Sequence, residues 1–282
     1  MAELRGYFWD AAAPGTFGLR HRRIRPRIGN AGDLFNRDLV AFLYGATMRN
    51  TTDEGRRLLL VGSLARLVRD GDVVCGIGTR GTPIPPPSAG VRLTIRGVRG
   101  PLSLEAFAHA GHDVRDVRFQ LDPGLLADTV FADLVDSVRA EPGRTLFVPH
   151  YRERRKFRST RSVQVFDVDS LPVDLAREIL RAEHVYASSL HGVVFAHALG
   201  RPCTLVAPTT QEPEIKYRDY YASLGLPWPE PVDLHASLTR RKPPSPADVR
   251  KTLEDFDFPT AEELHQRGIL DGAPALVRDG QC

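Results

Sequence analysis

Short β-rich apolar runs alternate with helical patterns along most of the chain, and that alternation constrains the fold more than any single motif does. The runs are Gly6–Trp9, Leu58–Val61, Val73–Cys75, Leu93–Ile95, Thr145–Val148, Val163–Phe166, Val185–Ala187 and Thr204–Val206. Helical patterns lie between them at Leu34–Leu43, Ser63–Arg69, Leu102–Ala110, Leu125–Leu134, Leu175–Arg181 and Val193–Leu199. Strand, helix and next strand in that order form crossovers, which predict α/β architecture with parallel sheets covered by helices on both faces. The pattern pauses on Ala140-Glu-Pro-Gly143 and restarts, so a boundary is expected there, giving an N-terminal domain at 1–140 and a second at 141–240. A chain of 282 residues is long enough for two such domains.

The last segment, 241–282, changes character. Its connector "RRKPPSP" (Arg240–Pro246) is proline-rich, "PADVRKTLEDF" and "TAEELHQRGI" read as two capped surface helices, and "DGAPALVRDGQC" reads as a loose tail.

Composition narrows the class. A hydrophobic share of 42% with 26% charged residues suits a globular protein with real cores. The three cysteines, Cys75, Cys203 and Cys282, are scattered and form no C-x-x-C pair, which argues for a reducing cytoplasm and against a disulfide framework or zinc site. No run approaches 18 apolar residues, and "MAELRGYFWD" has no signal-peptide h-region, so a cytoplasmic protein is expected. Two stretches are strongly basic, "RHRRIRPR" (Arg20–Arg27) and "RERRKFRSTR" (Arg152–Arg161), and could face phosphates or an anionic membrane. Yet of the 38 lysines and arginines only four are lysines, so arginine also stands wherever a solvated cation serves. No zinc-finger or RNA-binding signature accompanies the charge, and nucleic acid is not expected as a partner.

Polar clusters recur just after the expected strands. Asn30, Gly32 and Asp33 open the first helix; Ser63 ends "VGS", and Gly78 lies in "CGIGTRG". Arg96, Arg99 and Ser103 belong to "IRGVRGPLS", followed by "LDP" (Leu121–Pro123), and His150 and Lys156 to "PHYRERRK". Ser188, Ser189, Leu190, His191 and Gly192 form the turn of "SSLHGVVFAHALGRPC", and Lys216 sits in "EIKYRDYY". In open α/β sheets ligands bind at this edge, where helix N-termini offer free N–H groups to phosphate or carboxylate. Each cluster also has an ordinary reading: Ser189 as an N-cap, His191 as a solvated first-turn residue, Arg96 and Arg99 as surface ion-pair partners, Asp33 as a partner of the helix dipole. Their shared position is the informative part.

The blocks "NAGDLFNRDLV", "VGSLARLVRDGDVVCGIGTRG", "VRGPLS", "LDPGLL", "VPHY", "ASSLHGVVFAHALGRPC" and "EIKYRDYYASLGLP" resemble, in order and spacing, the polysaccharide pyruvyl transferase family over about residues 5 to 230. The exopolysaccharide (succinoglycan-type) ketal pyruvyltransferases look closest. The resemblance implies a GT-B-like fold, with two Rossmann-like domains facing a central cleft. It also implies transfer of pyruvate from phosphoenolpyruvate to two hydroxyls of one sugar, releasing phosphate and leaving a cyclic ketal. On the family pattern Arg99 and His191 line the donor site and Asp33 matches the acidic residue. Many members carry Arg where this chain has Ser189, so Arg96, Lys156 or Lys216 would have to supply that charge.

Phosphoenolpyruvate carries a carboxylate and a phosphate, which calls for several cations and backbone donors. His191 is expected as acid or phosphate ligand and Asp33 as hydroxyl base. Neither a metal nor a cofactor is expected, phosphoenolpyruvate being a substrate. The acceptor would be a glycan or lipid-linked oligosaccharide, with peripheral association at the inner face of the membrane. The tyrosines of "KYRDYY" either stack on a sugar or sit half-buried in a surface helix. Two alternatives stay open: a nucleotide-sugar glycosyltransferase on the same architecture, and a non-catalytic carbohydrate-binding relative.

Overall fold

The computed structural model describes residues 2–9, 27–53, 55–233 and 244–272. Nearly all of the first basic stretch, most of the proline-rich connector and all but the first two residues of the expected tail lie outside the described residues.

Strands β1 (Glu3–Gly6), β2 (Thr47–Asn50), β3 (Leu58–Leu59), β4 (Val73–Cys75), β5 (Thr94–Val98) and β6 (Phe119–Gln120) build the first sheet, with helix α1 (Ala31–Tyr44) after β1 and α2 (Pro101–His109) after β5. Two short helices, α3 (Ala127–Val130) and α4 (Ala132–Ser137), lead to the second sheet. That sheet contains β7 (Thr145–Val148), β8 (Gln164–Val165), β9 (His184–Ala187) and β10 (Cys203–Leu205), in the order β10-β9-β7-β8, with α5 (Pro172–Arg181), α6 (Leu190–Ala198) and α7 (Ile215–Ser223). Helix α8 (Ala261–Gln266) and strand β11 (Leu270–Asp271) return the chain to the first sheet, where β11 pairs antiparallel with β1. Every other pairing is parallel. The expected α/β class with parallel sheets is therefore present.

The residues at the helix ends explain where each helix begins and stops. Proline opens α2 and α5, where its missing N–H costs nothing, and Gly45 closes α1 at φ 58° while donating to the Ala41 carbonyl. Ser189 caps α6, its Oγ accepting from the Gly192 N–H at 3.4 Å.

Register shows where each sheet changes direction. Gly6 is aligned with Asn50 of β2 and also with Leu58 of β3, so these two strands flank β1 on opposite sides. Likewise Leu146 of β7 is aligned with Gln164 of β8 and with Val185 of β9. Connections leaving the C-terminal ends of β1 and β3 diverge, as do those leaving β7 and β9, and such switch points open crevices at the sheet edge.

One apolar cluster holds side chains from both sheets and their helices. Phe35 of α1 meets Phe195 of α6 edge-on, ring centroids 5.1 Å apart, and both are fully buried. Burial of each such ring contributes roughly 1.5–3 kcal/mol. The Ala31 N–H donates to the Val168 carbonyl at 3.0 Å, tying the start of α1 to the chain leaving β8.

Four expectations change. The helix at Ser63–Arg69 is only a 3-10 turn at Ala65–Leu67, because Ala65 N–H bonds the Gly78 carbonyl and the chain must turn back into β4 at once. Leu125–Leu134 is broken into a 3-10 turn, α3 and α4, and "PADVRKTLEDF" keeps only a turn at Leu253–Asp255. The rings of "KYRDYY" are core residues: Tyr217, Tyr220 and Tyr221 are all buried, which rules out stacking on a sugar.

Candidate active site

Both switch points deliver polar side chains to one place. From the β1 connection, Asn30 and the first turn of α1 bring Asp33; from the end of β3 come Gly62 and Ser63. Asn36 fixes this junction: its amide donates to the Asp33 and Val61 carbonyls at 2.8 and 3.0 Å and accepts from the Val61 N–H at 3.0 Å. From β9, the first turn of α6 brings His191. The two helix starts touch at Gly32, where a Cβ would lie 2.2 Å from His191 Nδ1, so only glycine lets them close.

Asp33 is buried, and the Asn30 amide donates to its Oδ2 at 2.6 Å. Burial lifts its carboxyl to about 7, against the lowering pull of Asn30, Lys216 and Arg80. Burial lowers His191 to about 3, and the positive charges of Arg99 and Lys216 push the same way. Near neutral pH the free site thus holds Asp33 within its titration range and His191 neutral. Among the described residues His191 Nε2 is buried without a hydrogen-bond partner, a group that ordinarily finds one.

Arg99 and Asp219 form the floor. The guanidinium is fully buried and spends each nitrogen on the protein: Nε on Asp219 Oδ2 at 3.0 Å, Nη1 on Ser63 Oγ at 2.8 Å and Nη2 on the Thr79 carbonyl at 2.8 Å. Ser103 completes the set, its N–H donating to Asp219 Oδ1 at 3.0 Å and its hydroxyl to Oδ2 at 2.5 Å. Gly78 and Gly100 permit the close approach: a Cβ would lie 2.2 Å from the Arg99 guanidinium carbon and 2.2 Å from the Asp219 carbonyl oxygen, respectively.

Beside them Glu212, its side chain fully buried, gathers cations. Lys216 Nζ lies 2.7 Å and Arg80 Nη2 2.8 Å from its Oε2, and Arg152 Nη1 lies 3.2 Å from its Oε1. His150 Nε2 stands 3.4 Å from Lys216 Nζ. Burial would raise the Glu212 carboxyl, but Lys216, His150 and Arg80 hold it below its usual value. Burial lowers Lys216 to about 8 despite the opposing charge of Glu212, and lowers His150 to about 3 with help from Lys216.

A cluster holding a protonatable carboxyl, a neutral imidazole and unevenly neutralised cations suits transfer chemistry on a small anion. Residues 91–210 match the family model described as polysaccharide pyruvyl transferase. By this match residues 91–210, less than half of the chain, are similar to the polysaccharide pyruvyl transferase family. A curated relative, "Uncharacterized protein L143" of Acanthamoeba polyphaga mimivirus, is 29% identical over 213 residues, covering 70% of this chain and 71% of its own length. No solved structure matches the chain.

The residues singled out by sequence divide into three groups. Asn30, Gly32, Asp33, His191, Lys216 and His150 converge in the cluster. Ser63, Gly78, Arg99 and Ser103 form its floor, and Arg99 is wholly occupied there rather than presented outward. Others serve elsewhere. Arg96 is clamped by Asp257, at 2.9 Å through both Nε and Nη2, and by Glu263 at 2.9 Å through Nη1, so it fastens the C-terminal segment and is not a spare cation for a donor. Lys156 Nζ bonds Thr209 Oγ1 at 3.0 Å. Leu190 is packed in the core, and Gly192 lies against Val148 and Ala187. Ser188 accepts from the His150 N–H at 2.9 Å and donates to the buried carboxylate of Glu153 at 2.7 Å, bracing the second switch point. Sequence reasoning missed Arg80, Glu212 and Asp219. Arg80 lay inside the quoted "CGIGTRG" block, and Asp219 falls at i+3 from Lys216 on α7, a spacing that shares one helical face, while Glu212 stands just before that helix.

Among the described residues no helix is long and apolar enough to cross a membrane.

Proposed function

We propose that this chain is a ketal pyruvyltransferase that moves pyruvate from phosphoenolpyruvate onto two hydroxyls of one sugar in an exopolysaccharide or its lipid-linked precursor. The observation that carries this reading, beside the family match, is the contact of the α1 and α6 starts at Gly32 and His191, which brings into one cluster a carboxyl raised by burial and an imidazole lowered by it. The reaction needs that pair. One sugar hydroxyl attacks C2 of the enol, a proton must reach the C3 methylene, and the hydroxyl proton must be taken up. Asp33 suits the proton donor and His191, with Nε2 unpartnered, the acceptor, which reverses the roles expected from sequence. The anionic donor raises both affinities for protons, leaving Asp33 more fully loaded and His191 a stronger base. A second hydroxyl then displaces phosphate from C2. The C3 proton comes from Asp33 and the first hydroxyl proton rests on His191; its return to Asp33 resets the pair, the second hydroxyl proton leaves with phosphate, and the turnover balances without a cofactor. The cations around Glu212 are the groups that would stabilise the charge growing on the departing phosphate.

A GT-B-like cleft between the two sheet edges, an acceptor on a lipid diphosphate, and contact of exposed arginines in 155–161 with anionic headgroups belong to the same proposal. The rival is a nucleotide-sugar donor.

Thermal unfolding with phosphoenolpyruvate, and separately with a panel of nucleotide sugars, tests the donor, because a ligand of the folded state raises the midpoint. Stabilisation by phosphoenolpyruvate that is lost in His191→Ala is expected, together with a fall in ketal formation of at least about a hundredfold. Stabilisation by nucleotide sugars alone would make the chain a glycosyltransferase.

A further inference from the structure

Two cations that sequence reasoning offered to an anionic donor are spent within the protein, and a third, Lys156, lies exposed at the surface. Arg99 has every nitrogen on a protein acceptor and no exposed surface, Arg96 is held by two carboxylates, and Lys156 rests on Thr209. Arg80 differs. Its side chain is 26% exposed, and only Nη2 is engaged, on Glu212. Its Nε and Nη1 have no hydrogen-bond partner among the described residues, and its charge reaches the buried Asp33 carboxyl. Lys216 is its neighbour on the same Glu212 oxygen.

We propose that Arg80, aligned with Lys216 by the buried carboxylate of Glu212, grips the phosphoryl group of the anionic donor, with Glu212 acting as the positioning residue. This rests on the phosphoenolpyruvate reading and names the residues of that site. A guanidinium held at one nitrogen presents a planar fork to two phosphoryl oxygens, while Lys216 adds a point charge. Without Glu212 the charge of the buried Lys216 would face that of Arg80, and of the more exposed Arg152, uncompensated across a few ångströms. The carboxylate therefore makes the cluster stable without saturating Arg80.

Isothermal titration of phosphoenolpyruvate and of inorganic phosphate into the wild type, Arg80→Ala, Arg80→Lys and Glu212→Gln tests this, with circular dichroism establishing that each variant is folded. Arg80→Ala should weaken both ligands roughly tenfold or more, and Arg80→Lys should recover only part of the loss because the fork is gone. In Glu212→Gln, Lys216 loses the carboxylate that favours its proton while His150, Arg80, Arg99, Asp33 and the Tyr217 ring still face it. The decline of phosphate binding at high pH, expected near 8 in the wild type, should then move to lower pH. Wild-type binding of phosphoenolpyruvate that is unchanged within about twofold in Arg80→Ala would overturn the assignment while leaving the donor reading intact. Should the wild type not bind phosphoenolpyruvate, the donor reading falls, and phosphate decides: binding lost in Arg80→Ala supports an anion site here, and retained or absent binding overturns it. An unmoved pH midpoint in Glu212→Gln would remove Glu212 from the role.

Discussion

Burial at Asp33 and His191 acts in opposite directions on the stability of the fold. Asp33 holds its proton more tightly folded than unfolded, about 7 against 3.8. Its contribution is therefore fully present below pH 3.8 and is lost as pH rises through 7. His191, lowered from 6.5 to about 3, contributes above pH 6.5 and loses that contribution as pH falls toward 3. Replacing one group separates the two effects. Asp33→Asn keeps an acceptor for Asn30 and removes the carboxyl that must ionise in the interior. The variant should match the wild type in unfolding free energy near pH 4 and exceed it progressively to pH 8, by a few kcal/mol at most, while losing ketal formation. Chemical unfolding at a series of pH values checks this, and a constant difference across the series would show that Asp33 is not perturbed as described. The sequence identified both residues but not their protonation, because the number that decides acid from base comes from packing around them.

At the scale of elements, the position of α1 depends on Asn36 more than on its apolar face alone. Its amide caps the open end of β3 through Val61, and removing it leaves a buried N–H and C=O of Val61 without partners. Asn36→Ala is expected to lower unfolding free energy by about 2–4 kcal/mol and to loosen Asp33 as well, which equilibrium unfolding and turnover measured on the same preparation would reveal together. Apolar pattern located β4 and β7 to the residue, since both are continuous runs buried on both faces. It placed β1 three residues late. Alternating burial continues from Leu4 through Gly6 to Phe8, but pairing stops at Gly6, where the Phe8 N–H turns to the Asn50 side chain at 3.0 Å. Periodicity reports burial; it does not report which backbone groups find a partner strand. Strands β2, β6 and β11 were not resolved as runs for the related reason that each is short and rests on its neighbours.

For the whole molecule, the decisive link is Arg99 with Asp219, two fully buried charges 120 residues apart that join the end of β5 to α7. Loss of one partner strands the other in the interior, so Asp219→Ala should cost about 3–5 kcal/mol; Asp219→Asn, which retains an acceptor, should cost less, and equal losses in denaturant titrations would contradict the pairing. No local pattern could announce this contact, whereas Asp33, His191 and Lys216 were visible because each stands beside a turn or helix start. Strand β11 has a consequence of another kind. Glu3 and Leu4 pair with Asp271 and Leu270, so strand β1 meets one of its partners only after some 260 further residues have been made. At roughly 5–20 residues per second, one edge of β1 waits tens of seconds for its mate. During that interval the nascent chain carries an open strand edge that a chaperone, or a neighbouring copy of the same chain, is free to claim.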